Sequence, residues 1–285
     1  MVLFFLDVMS TLSRQKSGPI EYYERQGLGD CEVVLLHGIG SNALSFKPLI
    51  DELPKSWRLI AWNAPGYGNS EPLKNEWPVA KDYAFALKNF FKKIQLKSPI
   101  IVGHSLGALI ATSFAANYPE HVSKLLLASP ALGYSQSRNE LLLPKAQERI
   151  DELESLGVND FAKARSTRLV ANPDKHPKIV SKVIIEMMRI NVSGYIQAVK
   201  MLSSGELLKD ALKLVCQTDV IVGAEDVITT PESSLKVHET LKSVVLSSFT
   251  ELKGVGHAIY QQDPKNFAKS LIEIAKSDTL LTSIG

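Results

Sequence analysis

Two cysteines in 285 residues, Cys31 and Cys216, are too few for a disulfide framework, so a reducing cytoplasm is the expected setting. Long apolar runs are missing too, and no stretch approaches the roughly 20 residues a membrane helix needs. No membrane role is expected. Residues 1–6 are apolar, but they lack a basic flank, meet Asp7 at once and show no small-residue cleavage site. They read as a first strand or loose tail rather than a signal peptide. Charge of one sign is not in excess, since 32 Lys and Arg stand against 30 Asp and Glu, a net of +2. That balance excludes the basic tracks of a nucleic-acid binder. No His/Cys spacing suits a metal, and there is no internal repeat or low-complexity segment.

What is present is alternation. Short apolar or β-branched runs at 32–36, 59–62, 100–102, 124–128, 220–222 and 244–249 predict strands. Helical spacing lies between them: Phe46, Leu49, Ile50 and Leu53; then Tyr83, Leu87, Phe90, Phe91 and Ile94; and last Phe267, Leu271 and Ile274, started by Asp263-Pro264. Such a chain is an α/β protein with a mainly parallel central sheet and helices on both faces. Active-site loops then belong at the carboxyl ends of the strands. The alternation stops between 131 and 215, where helix follows helix at 141–156, 159–170, 177–190, 193–202 and 206–214. The expected organisation is a core made of 1–130 and 216–285 with a helical insertion at 131–215. The insertion holds 13 basic and 10 acidic residues, a surplus too small to indicate the charge of a substrate.

Ser105 lies in Gly103-His104-Ser105-Leu106-Gly107, directly after the apolar run 99–102 and before the helix-like run 106–111. A strand that becomes a helix within about one residue holds a serine at a strained corner with its hydroxyl exposed, and the glycines relieve the crowding. A serine hydroxyl is a weak nucleophile, so it needs an imidazole to take its proton. His257, in Gly254-Val255-Gly256-His257, is the candidate base. Asp226 is the candidate acid that holds the imidazole in one tautomer, with its neighbour Glu225 as rival. Leu106 N–H, the first donor of the helix after Ser105, points toward a developing oxyanion.

The order Ser105, Asp226, His257 is that of α/β-hydrolases, and from about residue 20 to 275 the chain resembles that superfamily. The resemblance implies a second oxyanion donor at Ile39 N–H in the loop His37-Gly38-Ile39-Gly40, the acid at the fourth place of Gly223-Ala224-Glu225-Asp226, and a lid formed by 131–215. It also accounts for the turn Pro65-Gly66-Tyr67-Gly68-Asn69-Ser70. A serine hydrolase of this kind needs no cofactor and no metal. Segment 194–202 is similar to the corresponding helix of enol-lactone hydrolases and small-molecule esterases, which implies a small ester or lactone as substrate, cleaved through an acyl-enzyme. A serine at the elbow argues against dehalogenases and epoxide hydrolases. Two alternatives stand: a carbon–carbon bond hydrolase of ring-cleavage products, although such enzymes carry an aromatic residue where this chain has Ala258, and a non-catalytic ligand-binding relative.

Duller roles are expected elsewhere. His104 packs, His37 orders its own loop, His121 lies too far along the elbow helix to be the base, His176 is solvated, His238 belongs to a helix, and Asp263 is a cap. The segment Gly38-Ile39-Gly40-Ser41-Asn42-Ala43 loosely matches a dinucleotide fingerprint, but Asn63 stands about twenty residues on where that fold needs an acid. In the insertion, Leu142, Leu143, Met187, Met188, Ile196 and Leu202 either line a pocket or pack the lid, and Arg138, Arg165, Arg168 or Arg189 could grip a substrate carboxylate. The expected partner is a small molecule, with no nucleic acid and no membrane.

Overall fold

Strands β1 (Ser13–Ser17), β2 (Ile20–Arg25), β3 (Glu32–Leu36), β4 (Arg58–Trp62), β5 (Ile100–His104), β6 (Lys124–Ala128), β7 (Thr218–Gly223) and β8 (Phe249–Leu252) form one sheet in the order β1-β2-β4-β3-β5-β6-β7-β8. The computed structural model describes residues 11–29 and 31–277, so the expectation for residues 1–6 lies outside the described part. β1 and β2 run antiparallel to their neighbours, and every pairing from β4 through β8 is parallel. A parallel sheet is covered on both faces, which is why β5, β6 and β7 are buried at every position. In β3, Val33, Val34, Leu35 and Leu36 are wholly buried, each worth about 1.5–3 kcal/mol of transfer free energy.

The helices are α1 (Lys47–Glu52), α2 (Ala80–Ile94), α3 (Leu106–Asn117), α4 (Pro144–Ser166), α5 (Pro177–Met187), α6 (Val192–Ser204), α7 (Leu207–Ala211), α8 (Pro231–Lys242), α9 (Ile259–Gln262) and α10 (Pro264–Lys276). α2 starts where the Asp82 carboxylate accepts the Val79 N–H at 2.9 Å, and it stops at Gln95 in the left-handed conformation. Its buried stripe, Tyr83, Leu87, Phe90 and Phe91, packs with α3 on one face of the sheet. Phe46, Leu49 and Ile50 join Phe267, Leu271 and Ile274 of α10 on the other. Asp263 caps α10 by accepting the Asn266 N–H at 3.2 Å.

Between β6 and β7, after a non-helical stretch over 129–143, come helices α4 to α7, with short 3-10 turns between α4 and α5. Helix α4 is broken at Gly157, whose φ of 70° and ψ of 165° suit glycine. None of the described helices is long and apolar enough to cross a membrane.

Two features differ from expectation. A strand at 244–249 was expected, but the Val244 and Val245 N–H groups both bond to Leu241 O and finish α8; Leu246 O and Ser248 O accept the N–H groups of Thr218 and Val220, and the strand itself runs from Phe249, opposite Val220. β1 and β2 had no counterpart among the expected strands. β1, Ser-Arg-Gln-Lys-Ser, is exposed at four of its five positions and held by its backbone, so it carries no apolar pattern to read.

Candidate active site

The loops after β3, β5, β7 and β8 leave the sheet at one edge, because these strands are parallel. Ile39, Ser105, Asp226 and His257 lie in those loops.

Ser105 joins β5 directly to α3, with φ 52° and ψ −112°. That conformation costs on the order of 1–3 kcal/mol for a residue with a Cβ, so its surroundings must over-determine it. They do: Ser105 N–H donates to Ala128 O at 2.9 Å, and Ser105 O accepts the N–H groups of Ala108 (3.0 Å) and Ala131 (3.2 Å). Gly103 and Gly107 make the corner sterically possible. A Cβ on Gly103 would lie 2.6 Å from Gly107 O, and one on Gly107 would lie 2.2 Å from Leu36 O.

Asp226 is buried in the turn after β7, where Oδ1 accepts the N–H groups of Ile228 (2.8 Å) and Thr229 (3.0 Å). Its Oδ2 accepts from His257 Nδ1 at 2.8 Å. Burial by itself raises this carboxyl, but the His257 charge, the His257 hydrogen bond and the two backbone donors outweigh it and hold the pKa at about 2. Because a carboxylate only accepts, the proton of neutral His257 resides on Nδ1 and the Nε2 lone pair is free to act as a base. Glu225 is exposed and turned elsewhere: its Oε2 accepts the Val255 N–H at 2.8 Å, and its own N–H donates to Val255 O at 3.0 Å. The rival acid thus braces the base loop from outside.

Thr229 carried no separate expectation. Its hydroxyl donates to Ser129 O at 2.9 Å and lies 3.1 Å from Asp226 Oδ2 and 3.2 Å from His257 Nδ1. Three residues after the acid, it closes the turn that aims the carboxylate.

His104 does more than pack. Its Nε2–H donates to His257 O at 2.9 Å, and the two rings stand 4.7 Å apart. Burial, followed by the nearby His257 charge, lowers the His104 pKa to about 3, so the ring is neutral, and among the described residues its Nδ1 has no partner. His37 Nδ1–H donates to Gly38 O at 2.9 Å while Nε2 accepts the Ala64 N–H at 3.1 Å, and burial lowers its pKa to about 4. It orders the loop that carries Ile39. Gly38 presses on the elbow, since a Cβ there would come within 3.0 Å of both Ser105 Cβ and His104 Nδ1. Asn63 ties loops together, with Oδ1 accepting the Ala43 N–H and Nδ2 donating to Glu21.

Ile39, Ser105, Leu106 and His257 line one cavity of about 610 Å³. Leu106 is the first residue of α3, where backbone N–H groups have no partner within the helix. His121, His176 and His238 are not part of the lining. Of the insertion's apolar candidates, Met187 and Leu202 line the cavity, whereas Leu142, Leu143, Met188 and Ile196 do not. Arg165 and Arg168 line it and Arg138 and Arg189 do not; Arg149, absent from the expected set, does. Arg138 and Arg189 are paired with Asp82 and Glu186. Among the described residues, no three His, Cys, Asp or Glu side chains converge on a metal-sized site.

Comparison with known proteins gives the same fold. The pimeloyl-[acyl-carrier protein] methyl ester esterase of Neisseria meningitidis serogroup C is 25% identical over 255 residues, 86% of this chain and 94% of that protein. A thermophilic esterase from Thermogutta terrifontis superposes with a TM-score of 0.79 at 21% identity, covering 94% of this chain and 98% of that one. The enol-lactonase from Burkholderia xenovorans LB400 superposes with a TM-score of 0.80 at 16% identity, covering 93% and 100%. The family model described as serine aminopeptidase, S33, matches residues 30–264. With that match spanning most of the chain, this α/β-fold serine hydrolase belongs to the serine aminopeptidase S33 family.

Proposed function

We propose that the protein hydrolyses a small carboxylic ester or lactone in the cytoplasm through an acyl-enzyme on Ser105. The observation that carries this reading is the 2.8 Å bond from His257 Nδ1 to Asp226 Oδ2, made on the wall of the cavity that Ser105 also lines. His257 Nε2 takes the Ser105 proton as Oγ attacks the carbonyl carbon, and the N–H groups of Ile39 and Leu106 receive the oxyanion. Collapse of the tetrahedral adduct breaks the bond to the alcohol oxygen, which leaves with the proton from His257. A water molecule, deprotonated by the same nitrogen, then releases the acid and restores Ser105. Residues 131–215 act as a lid, supported by the cavity contacts of Tyr195, Met187 and Leu202. The esterase and enol-lactonase relatives agree in reaction type. Ala258 after the base speaks against carbon–carbon cleavage, and an ordered Asp–His pair speaks against a mere ligand receptor.

The test is a panel of lactones and p-nitrophenyl esters from acetate to palmitate, run beside fluorophosphonate labelling. Short esters or lactones should be cleaved fastest, since a cavity of this volume suits a drug-sized or smaller ligand. Ser105→Ala should abolish labelling and reduce turnover at least ~10³-fold. Labelling that persists in Ser105→Ala, or a maximum at palmitate, would overturn the assignment of nucleophile or of substrate size, respectively.

A further inference from the structure

The cavity is walled on one side by charge. Lys145, Glu148, Arg149 and Glu152 follow the i, i+3, i+4, i+7 spacing of one helical stripe on the first half of α4, and all four line the cavity. Beyond the break at Gly157, Arg165 of α4 and Arg168 of the 3-10 turn over 167–169 also reach the lining. A helix that merely covered an apolar pocket would turn its apolar stripe inward and its charges to water. Here three cations and two carboxylates of α4, joined by Arg168 of the 3-10 turn that follows it, face the space in front of Ser105.

These charges are not equally engaged. Arg165 is paired with Glu152 and lies over the Phe161 ring, 5.3 Å from its centroid. Of the other two carboxylates of the lining, Glu186 is held by Asn42 at 2.8 Å and by Arg189, and Glu148 is exposed. Arg149 is half-buried and, among the described residues, makes no ion pair; Arg168 makes none either and is exposed. Burial raises the Tyr195 phenol, and the first charge acting against burial is that of Arg149, which puts the guanidinium near an inner wall of the cavity. A guanidinium that lines a cavity without a carboxylate partner leaves its donors open to an anion. Its planar fork suits a carboxylate in bidentate fashion.

We propose that Arg149, with Arg168 where the cavity opens, binds an ionised carboxylate of the substrate, so that the ester or lactone cleaved at Ser105 carries a second, free acid group. This rests on the ester-hydrolysis reading above. The four cations of the lining, against the three carboxylates Glu148, Glu152 and Glu186, disfavour a substrate with a free amine.

The experiment compares kcat/KM for p-nitrophenyl hydrogen adipate, p-nitrophenyl hexanoate and p-nitrophenyl ε-aminocaproate. A second arm, p-acetoxybenzoic acid against its methyl ester, places the acid on the leaving group instead of the acyl chain. In one arm the acid-bearing substrate should be preferred over its neutral counterpart on the order of tenfold to a hundredfold. Arg149→Gln should collapse that ratio, Arg149→Lys should restore part of it, and Arg149→Glu should move the preference toward the amine. The reversal cannot arise from a misfolded variant. Calorimetric titration of adipate into Ser105→Ala, with and without Arg149→Gln, reads the anion site without turnover. Adipate binding that requires Arg149, with no ester hydrolysed, would sink the esterase reading alone. Equal treatment of acid and neutral substrates in both arms, a wild-type preference for the amine, or a preference unchanged in Arg149→Gln would overturn the carboxylate site.

Discussion

Asp226 and Glu225 are adjacent in sequence and carry the same charge, yet only one has its carboxylate on His257. The difference has a kinetic consequence. Asp226→Asn would present an amide to Nδ1, disturb the tautomer and remove the charge that stabilises the imidazolium, so turnover should fall by several orders of magnitude, roughly 10⁴-fold. Glu225→Gln keeps an oxygen for the Val255 N–H, and its turnover should stay within a few-fold of wild type. Steady-state kinetics on one short ester decides the matter, and equal losses would mean that the acid has been misassigned. The sequence motif favoured Asp226 only by position. The reason for the choice, two backbone donors and a threonine hydroxyl folding back on one carboxylate, involves contacts made after the turn has closed.

At the level of elements, α6 approaches the core where two glycines meet. A Cβ on Gly194 would fall 2.0 Å from Gly66 O and 2.8 Å from Gly66 Cα. Neither backbone can yield like the end of a flexible side chain, so Gly194→Ala must push the start of α6 outward, at a cost of about 1–3 kcal/mol. Tyr195 and Leu202 of this helix line the cavity, so kcat/KM should drop together with the melting temperature. Ser193→Ala, one residue earlier and exposed, should change stability by no more than about 0.5 kcal/mol. Thermal melts of the two variants test the contact, and an unchanged melting temperature for Gly194→Ala would count against it. The elements legible in sequence were those with their own apolar period, such as α2 and the buried parallel strands. The start of β8 and the edge strand β1 were not, because helix-end hydrogen bonds and backbone pairing set them rather than side-chain pattern.

For the molecule as a whole, acid stability should be governed by groups buried around the candidate site. His37 and His104 are kept neutral by burial, with pKa values of about 4 and about 3, while unfolding returns both toward 6.5. Below 6.5 the unfolded chain binds more protons than the folded one, so stability rises with pH in that range. The contribution of the neutral rings is complete above 6.5 and is lost as pH falls toward 4 for His37 and 3 for His104. Asp226 acts lower: its folded pKa of about 2 lies below the ordinary 3.8, so its contribution is present above 3.8 and is lost as pH falls toward 2. Melting temperatures measured from pH 6.5 down to 4 should decline in the wild type and less steeply in His104→Asn, even if that variant starts lower for want of the bond to His257 O. Parallel slopes would show that His104 takes up its proton in the folded state.

Sequence alone determined what is written in short windows. The Gly-x-Ser-x-Gly corner, the alternation of strand and helix and the run of helices after β6 each depend on periods or spacings within a few residues. Tertiary structure decided whatever depends on partners distant in the chain. It turned His104 to the carbonyl of His257, 153 residues away, and joined Asp226 to a ring 31 residues on. It also faced Arg149 into the cavity, although nothing in the insertion's near-balanced charge singled that residue out. The physical reason is that a helix's own sequence specifies which residues share a stripe, whereas the packing of that helix against the rest of the chain specifies what the stripe faces.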